Sequence, residues 1–159
     1  MLTFRQLLAK LLLPTLLVVA FFFFKLNADI TEWKALLTIA AGAYLGVLFL
    51  WFDSALMCRQ YQENGEVTLI TRSLPFILSY AAVAFWMVTS SASLVGSAMA
   101  VGIGSSLLVE MTHLRLDPDA FNQRFLKHLT RPFSQQEIST MIVIGWLFLF
   151  VITALMLRF

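Results

Sequence analysis

Charged side chains are scarce in this sequence. They make up 13 % of its residues, where a soluble domain carries about 25 %, so most of the chain is unsuited to facing water. Cysteine is nearly absent as well. Cys58 stands alone, which excludes an internal disulfide and with it a stapled secreted fold. There is no contiguous basic patch either. The formal net charge is +2 and the basic residues are scattered around the apolar runs, so nucleic-acid binding has no support.

What the sequence has in abundance is hydrophobicity, at 60 % of residues with a mean hydropathy of +0.84. That composition indicates an integral membrane protein. With about 20 residues needed per crossing helix, the 159 residues hold four to six spans and little else, and residues 1–159 read as one transmembrane domain. The expected fold is all-α: five transmembrane helices, with a short amphipathic helix at the interface between the fourth and fifth.

The first span is expected over about 7–25, where Lys10 snorkels and Pro14 introduces a kink. Its basic start and apolar run resemble a signal peptide, but the run is long enough to span, and it is read as an uncleaved helix. Asp29 or Thr31 can cap the second helix, with Glu32 in its first turn. That span covers about 33–54 and is expected to continue to residue 63, stopping at Gly65. The third span, about 73–90, is short, and an uncharged turn follows it, so the third and fourth spans form an antiparallel hairpin. Asp117 before Pro118 starts the amphipathic segment, about 118–130, whose apolar side is Phe121, Phe125, Leu126 and Leu129. Such a segment commonly lies in the membrane interface with that side down. Ser134 and Glu137 have capping-box spacing, with Phe133 and Ile138 as a hydrophobic staple, ahead of a fifth span over about 136–157.

The fourth span, about 94–113, is crowded with small residues. At about 100° per residue, Ala98, Gly102, Ser106 and Glu110 climb one ridge, while Gly96, Ala100 and Gly104 form a second. Small residues let helices approach closely in lipid, so this helix is expected at the centre of the bundle.

Lysine and arginine set the orientation. With a cytoplasmic N-terminus, Arg5, Lys10, Arg59, Arg72, Arg115, Arg124, Lys127 and Arg131 fall inside, and Lys25, Lys34 and Arg158 fall outside. This division of the 11 basic residues predicts N-in, C-out in a multi-pass protein of the cytoplasmic membrane.

Three residues are candidates for binding an ion or ligand: Asp53, Glu110 and His113. Glu110 and His113 have the E-x-x-H spacing that lets a bundle helix hold a metal between carboxylate and imidazole, and Asp53, ending the second span on the same side, offers another oxygen. Together they would suit Zn²⁺ or a similar ion. Alternatively Glu110 pairs with Arg59, Arg72 or Arg115, while His113 occupies a helix C-terminus that favours a cation. About 17 residues separate Glu110 from the turn at Ser93, roughly 25 Å of helix, which places it towards the inner edge of the hydrocarbon. No ionisable residue falls at mid-bilayer, which speaks against a charged pathway across the whole membrane. Nucleophile arrangements are thin: Ser105 and Ser106 have no base on the same turn, and the histidines are His113 and His128.

The segments T-S-S-A-S-L-V-G and G-I-G-S-S-L-L-V-E resemble the third-to-fourth span region of small bacterial membrane proteins with no assigned activity. In those the helix tends to read G-x-x-L-H-L-L-x-D, and its H-L-L-x-D step is similar to a helix of membrane-bound metal-dependent hydrolases. Ser106 stands here in place of the histidine and Glu110 in place of the aspartate. The resemblance implies a bacterial inner-membrane scaffold and, with a ligand position lost, argues against a hydrolase.

The expected function is thus a non-enzymatic membrane scaffold that acts through helix–helix association, with the lipid bilayer and a second copy or another membrane protein as partners, and without a cofactor. A transporter or channel subunit that binds a cation or polar solute near Asp53, Glu110 and His113 is one alternative. A metal-dependent membrane hydrolase using those residues is the other.

Overall fold

A computed structural model describes residues 4–25, 32–56, 62–63, 66–67, 70–90, 93–127 and 129–158. These residues form six α-helices: α1 (Phe4–Phe24), α2 (Trp33–Leu56), α3 (Leu74–Ser90), α4 (Leu94–His113), α5 (Pro118–Phe125) and α6 (Gln135–Arg158). Three of them, α2, α4 and α6, are long and apolar enough to cross a membrane, while α3 and the stretch Lys10–Phe24 of α1 are apolar but shorter.

The centre of the bundle is α4, which packs most extensively on α2 and also touches α1, α3 and α6. Of its apolar stretch, 78 % is buried inside the protein, against 28 % for α2 and 22 % for α6. Its two small-residue ridges face different neighbours. The Ala98–Gly102 ridge meets Gly42, Ala43 and Gly46 of α2 so closely that a Cβ at Gly102 would lie 3.0 Å from the Ala43 carbonyl carbon, and one at Gly46 would lie 2.8 Å from the Ile103 nitrogen. The other ridge faces α3 and α6. A Cβ at Gly96 would run into the Met87 side chain, and one at Gly104 into the Tyr80 hydroxyl and Leu149. Tyr80 uses the room at Gly104 to donate to the Ala100 carbonyl at 2.6 Å. Small residues at these positions let the helix backbones approach closely, the kind of packing that favours one helix pairing over another.

Local capping fixes where these helices begin. The Ser93 hydroxyl accepts from the Gly96 amide at the head of α4, and Asp117 does the same for Ala120 at 3.0 Å in α5. At α6 the capping box is reciprocal: the Ser134 amide donates to Glu137 at 2.8 Å, and the Glu137 amide donates back to the Ser134 hydroxyl. Ser134→Ala should therefore cost about 1 kcal/mol in equilibrium unfolding. Arg131→Ala, which removes a solvent-exposed pair with Glu137, should change little.

Two expectations are corrected. The second helix does not continue to residue 63: α2 ends at Leu56, and Gln62–Glu63 pair antiparallel with Glu66–Val67 as the two-residue strands β1 and β2. The sequence between the two strands is Asn-Gly, a dipeptide strongly favoured in two-residue hairpin connections; Asn64 and Gly65 themselves lie outside the described residues. The amphipathic helix is also shorter than 118–130, closing at Phe125. Its apolar side, Phe121, Phe125 and Leu126, is buried within the protein itself. Asn122 secures this docking by donating to the Phe133 carbonyl at 2.9 Å and accepting from its amide at 2.8 Å.

Candidate functional site: a buried ion cluster at one end of the bundle

Glu110 lies one helical turn beyond Ser106 on α4, with its carboxylate turned into the bundle. Three cations from three other parts of the chain converge on it. Lys10 of α1 donates to Oε2 at 3.1 Å. Arg72, in a 3-10 turn (Ile70–Arg72) just before α3, donates through Nη2 to Oε2 at 3.1 Å and through Nε to Oε1 at 3.4 Å. Arg124 of α5 reaches Oε1 at 2.5 Å.

Arg72 is also the link to the second acid. Its Nη1 donates to Asp53 at 3.2 Å, to the Leu50 carbonyl at 3.2 Å and to the Thr71 hydroxyl at 2.7 Å. The Thr71 hydroxyl in turn donates to Asp53. The guanidinium thus ties α2, the 3-10 turn and α4 into one network. Its side chain is only 2 % exposed, so full pairing is what makes its burial tolerable.

The cluster sets three cations against two carboxylates, which leaves one positive charge in excess. Both oxygens of Glu110 are already held by cations, so an added metal ion would have to displace them. His113 does not join the cluster. It is exposed at the end of α4, about 60° around the helix from Glu110, and among the described residues no group of three or more His, Cys, Asp or Glu side chains could hold a metal ion. The expected trio of Asp53, Glu110 and His113 is therefore not brought together: the first two share Arg72 and the third faces away. Of the arginines expected near Glu110, Arg72 is the one found. Arg115 is exposed, and Arg59, Cys58 and His128 lie outside the described residues.

Sequence reasoning missed Lys10 and Arg124 as members. Its place in the first span suggests that Lys10 snorkels, yet it is buried and pairs with Glu110 inside the bundle. The available signal was its position as a lone cation inside an apolar run, where a charge needs a partner. Nothing local marks Thr71.

A cavity of about 260 Å³ lies beside the cluster between α1 and α2, with Lys10, Arg72 and Ser106 at its polar end and Leu11, Leu48 and Trp51 among its apolar walls. Ser106 is 1 % exposed, and its Oγ is the one buried side-chain polar atom among the described residues without a hydrogen-bond partner. No protein-family model matches the chain, and no curated protein or solved structure is significantly similar to it.

Proposed function

We propose that this chain is a five-span integral membrane protein of the cytoplasmic membrane, N-in and C-out, which works as a non-catalytic scaffold. The observation that carries this reading is the division of its surfaces. Among the described residues, the buried charged side chains are Lys10, Asp53, Arg72 and Glu110, and all four belong to one mutually paired cluster. The outward faces, by contrast, are apolar: Leu16 and Phe23 on α1, Leu45 and Phe49 on α2, Leu78 and Trp86 on α3, Leu147 and Phe150 on α6. A belt of this kind suits acyl chains, and α1 and α3 are within reach of a thin or locally adapted bilayer.

The cluster then acts as a latch. It joins α1, α2, α4 and α5 at the end of the bundle that the lysine and arginine distribution assigns to the cytoplasm. Because the small-residue ridges of α4 are already occupied by its own neighbours, association with a second copy or another membrane protein falls to the outer faces, chiefly those of α3 and α6. A cation path is disfavoured by the excess positive charge at the cluster, and a metal-dependent hydrolysis by the absence of an assembled ligand set among the described residues.

Topology is the direct test. In a Cys58→Ser background, single cysteines at Lys34 and Asp119 are treated with a membrane-impermeant maleimide on intact cells. Labelling at position 34 and protection at 119 is the expected result. The reverse pattern, or labelling of both, would refute the orientation, and a protein that crosslinks to nothing in native membranes would remove the scaffold reading.

A further inference from the structure

The cavity between α1 and α2 has a composition that the latch does not explain. Its walls are apolar, and its mouth is flanked by Leu11, Leu48 and Trp51, all exposed on the outer surface. Its inner end carries Lys10, Arg72 and Ser106. Lys10 has three N–H donors but a single described acceptor, Glu110. The Ser106 hydroxyl, fully buried, has none. A buried hydroxyl without a partner is costly, and together with the unused N–H donors of Lys10 and a lining that holds two cations and no carboxylate it marks the place of an acceptor with negative charge.

The geometry points to a lipid site: the phosphate of one anionic phospholipid from the inner leaflet sits against Lys10 and Ser106, with an acyl chain running out past Leu11, Leu48 and Trp51. This rests on the membrane reading above. If α1 crosses the bilayer from the cytoplasm, Lys10 lies six residues beyond Phe4, about 9 Å along the helix, close to head-group level. Trp51 at the mouth is a side chain that favours the same zone. At about 260 Å³ the cavity is slightly smaller than those that enclose a drug-sized ligand, roughly 300–1,000 Å³, which fits a phosphate with its glycerol while the chains remain in the bilayer. The bilayer is also the one medium always present at such a mouth.

The test uses the full-length chain in two vesicle preparations, phosphatidylcholine alone and phosphatidylcholine with phosphatidylglycerol. Flotation with the phosphatidylcholine vesicles reads the membrane assignment by itself. Lipid retained after detergent extraction, identified by native mass spectrometry, reads the site. One phosphatidylglycerol is expected per chain, preferred over phosphatidylcholine by about tenfold or more, the scale of a charge-assisted hydrogen bond. Lys10→Gln should abolish that preference. Because Lys10→Gln also removes a partner of Glu110, two further variants leave the ion cluster intact: Ser106→Ala, which removes only the unpartnered hydroxyl, and Leu48→Trp, which fills the mouth. Both should lower retention several-fold with folding preserved. Equal retention of the two lipids, retention unchanged in Ser106→Ala and Leu48→Trp, or a free fatty acid as the bound species would each overturn the proposal. Failure to float would overturn the membrane reading and the lipid site together.

Discussion

Glu110→Gln should destabilise the bundle by about 3–5 kcal/mol, the cost of removing one partner from a buried ion pair, read as earlier unfolding in mixed micelles of increasing SDS fraction. The magnitude follows from what is left behind. Glu110 is the acid that Lys10, Arg72 and Arg124 share, and an uncharged amide in its place leaves Lys10 buried without any described counter-charge while Arg72 keeps only Asp53. Glutamine has nearly the same shape, so the loss is electrostatic and not a matter of volume. Two comparisons separate this from a general sensitivity of α4. Arg124→Gln should cost no more than about 1 kcal/mol, because its side chain is 44 % exposed and solvent-accessible pairs contribute little. Adding Lys10→Met to Glu110→Gln should recover part of the loss, since removing both members of a buried pair is far cheaper than removing one. Equal losses for Glu110→Gln and Arg124→Gln would mean that the cluster is not a latch.

Gly102→Leu should cost about 3 kcal/mol or more, at or beyond the upper end for overpacking. The added side chain would meet the backbone of Ala43, which cannot rotate away as a side chain can, so α2 and α4 must separate along their whole contact. Gly96→Ala is the control on the same helix. The nearest obstacle there is the end of the Met87 side chain, a flexible group that repacks at little cost, and a loss well under 1 kcal/mol is expected. The effect of Gly102→Leu should appear in the unfolding of the single chain. If it instead left stability unchanged and only altered self-association, the small-residue ridge would be an interface between copies and not the interior of one bundle.

These two sites also show what could be read in the sequence and what could not. The span of α4 and its two ridges follow from residue size and helical spacing alone, and the starts of α5 and α6 follow from Asp117 and the Ser134–Glu137 pair, each a local signal acting within one turn. The partner of each ridge is not local. Nothing in residues 94–113 says that Gly102 meets Ala43 or that Gly104 makes room for Tyr80. The ion cluster is harder still, because Lys10 and Glu110 are 100 positions apart and Arg72 and Glu110 are 38 apart. Spacing could place Glu110 in the last turn of the small-residue helix and name Arg72 among its possible partners. It could not tell that Lys10 turns inward, or that His113, three residues from Glu110, points out. The E-x-x-H spacing indicates a shared face only loosely, and at the last turn of α4 the 60° between the two side chains separates buried from exposed.

The central position of α4 can be measured by photolabelling. The chain is reconstituted in vesicles containing a phospholipid with a diazirine at the acyl terminus, which reports contacts at the middle of the bilayer, and adducts are mapped by peptide sequencing after irradiation. Adducts are predicted on the exposed faces of the outer helices, for example at Leu16, Phe49, Val83 and Phe150, and none between Ala98 and Gly104. Adducts within Ala98–Gly104 at a yield matching the outer helices would put α4 in contact with lipid and contradict the bundle described above.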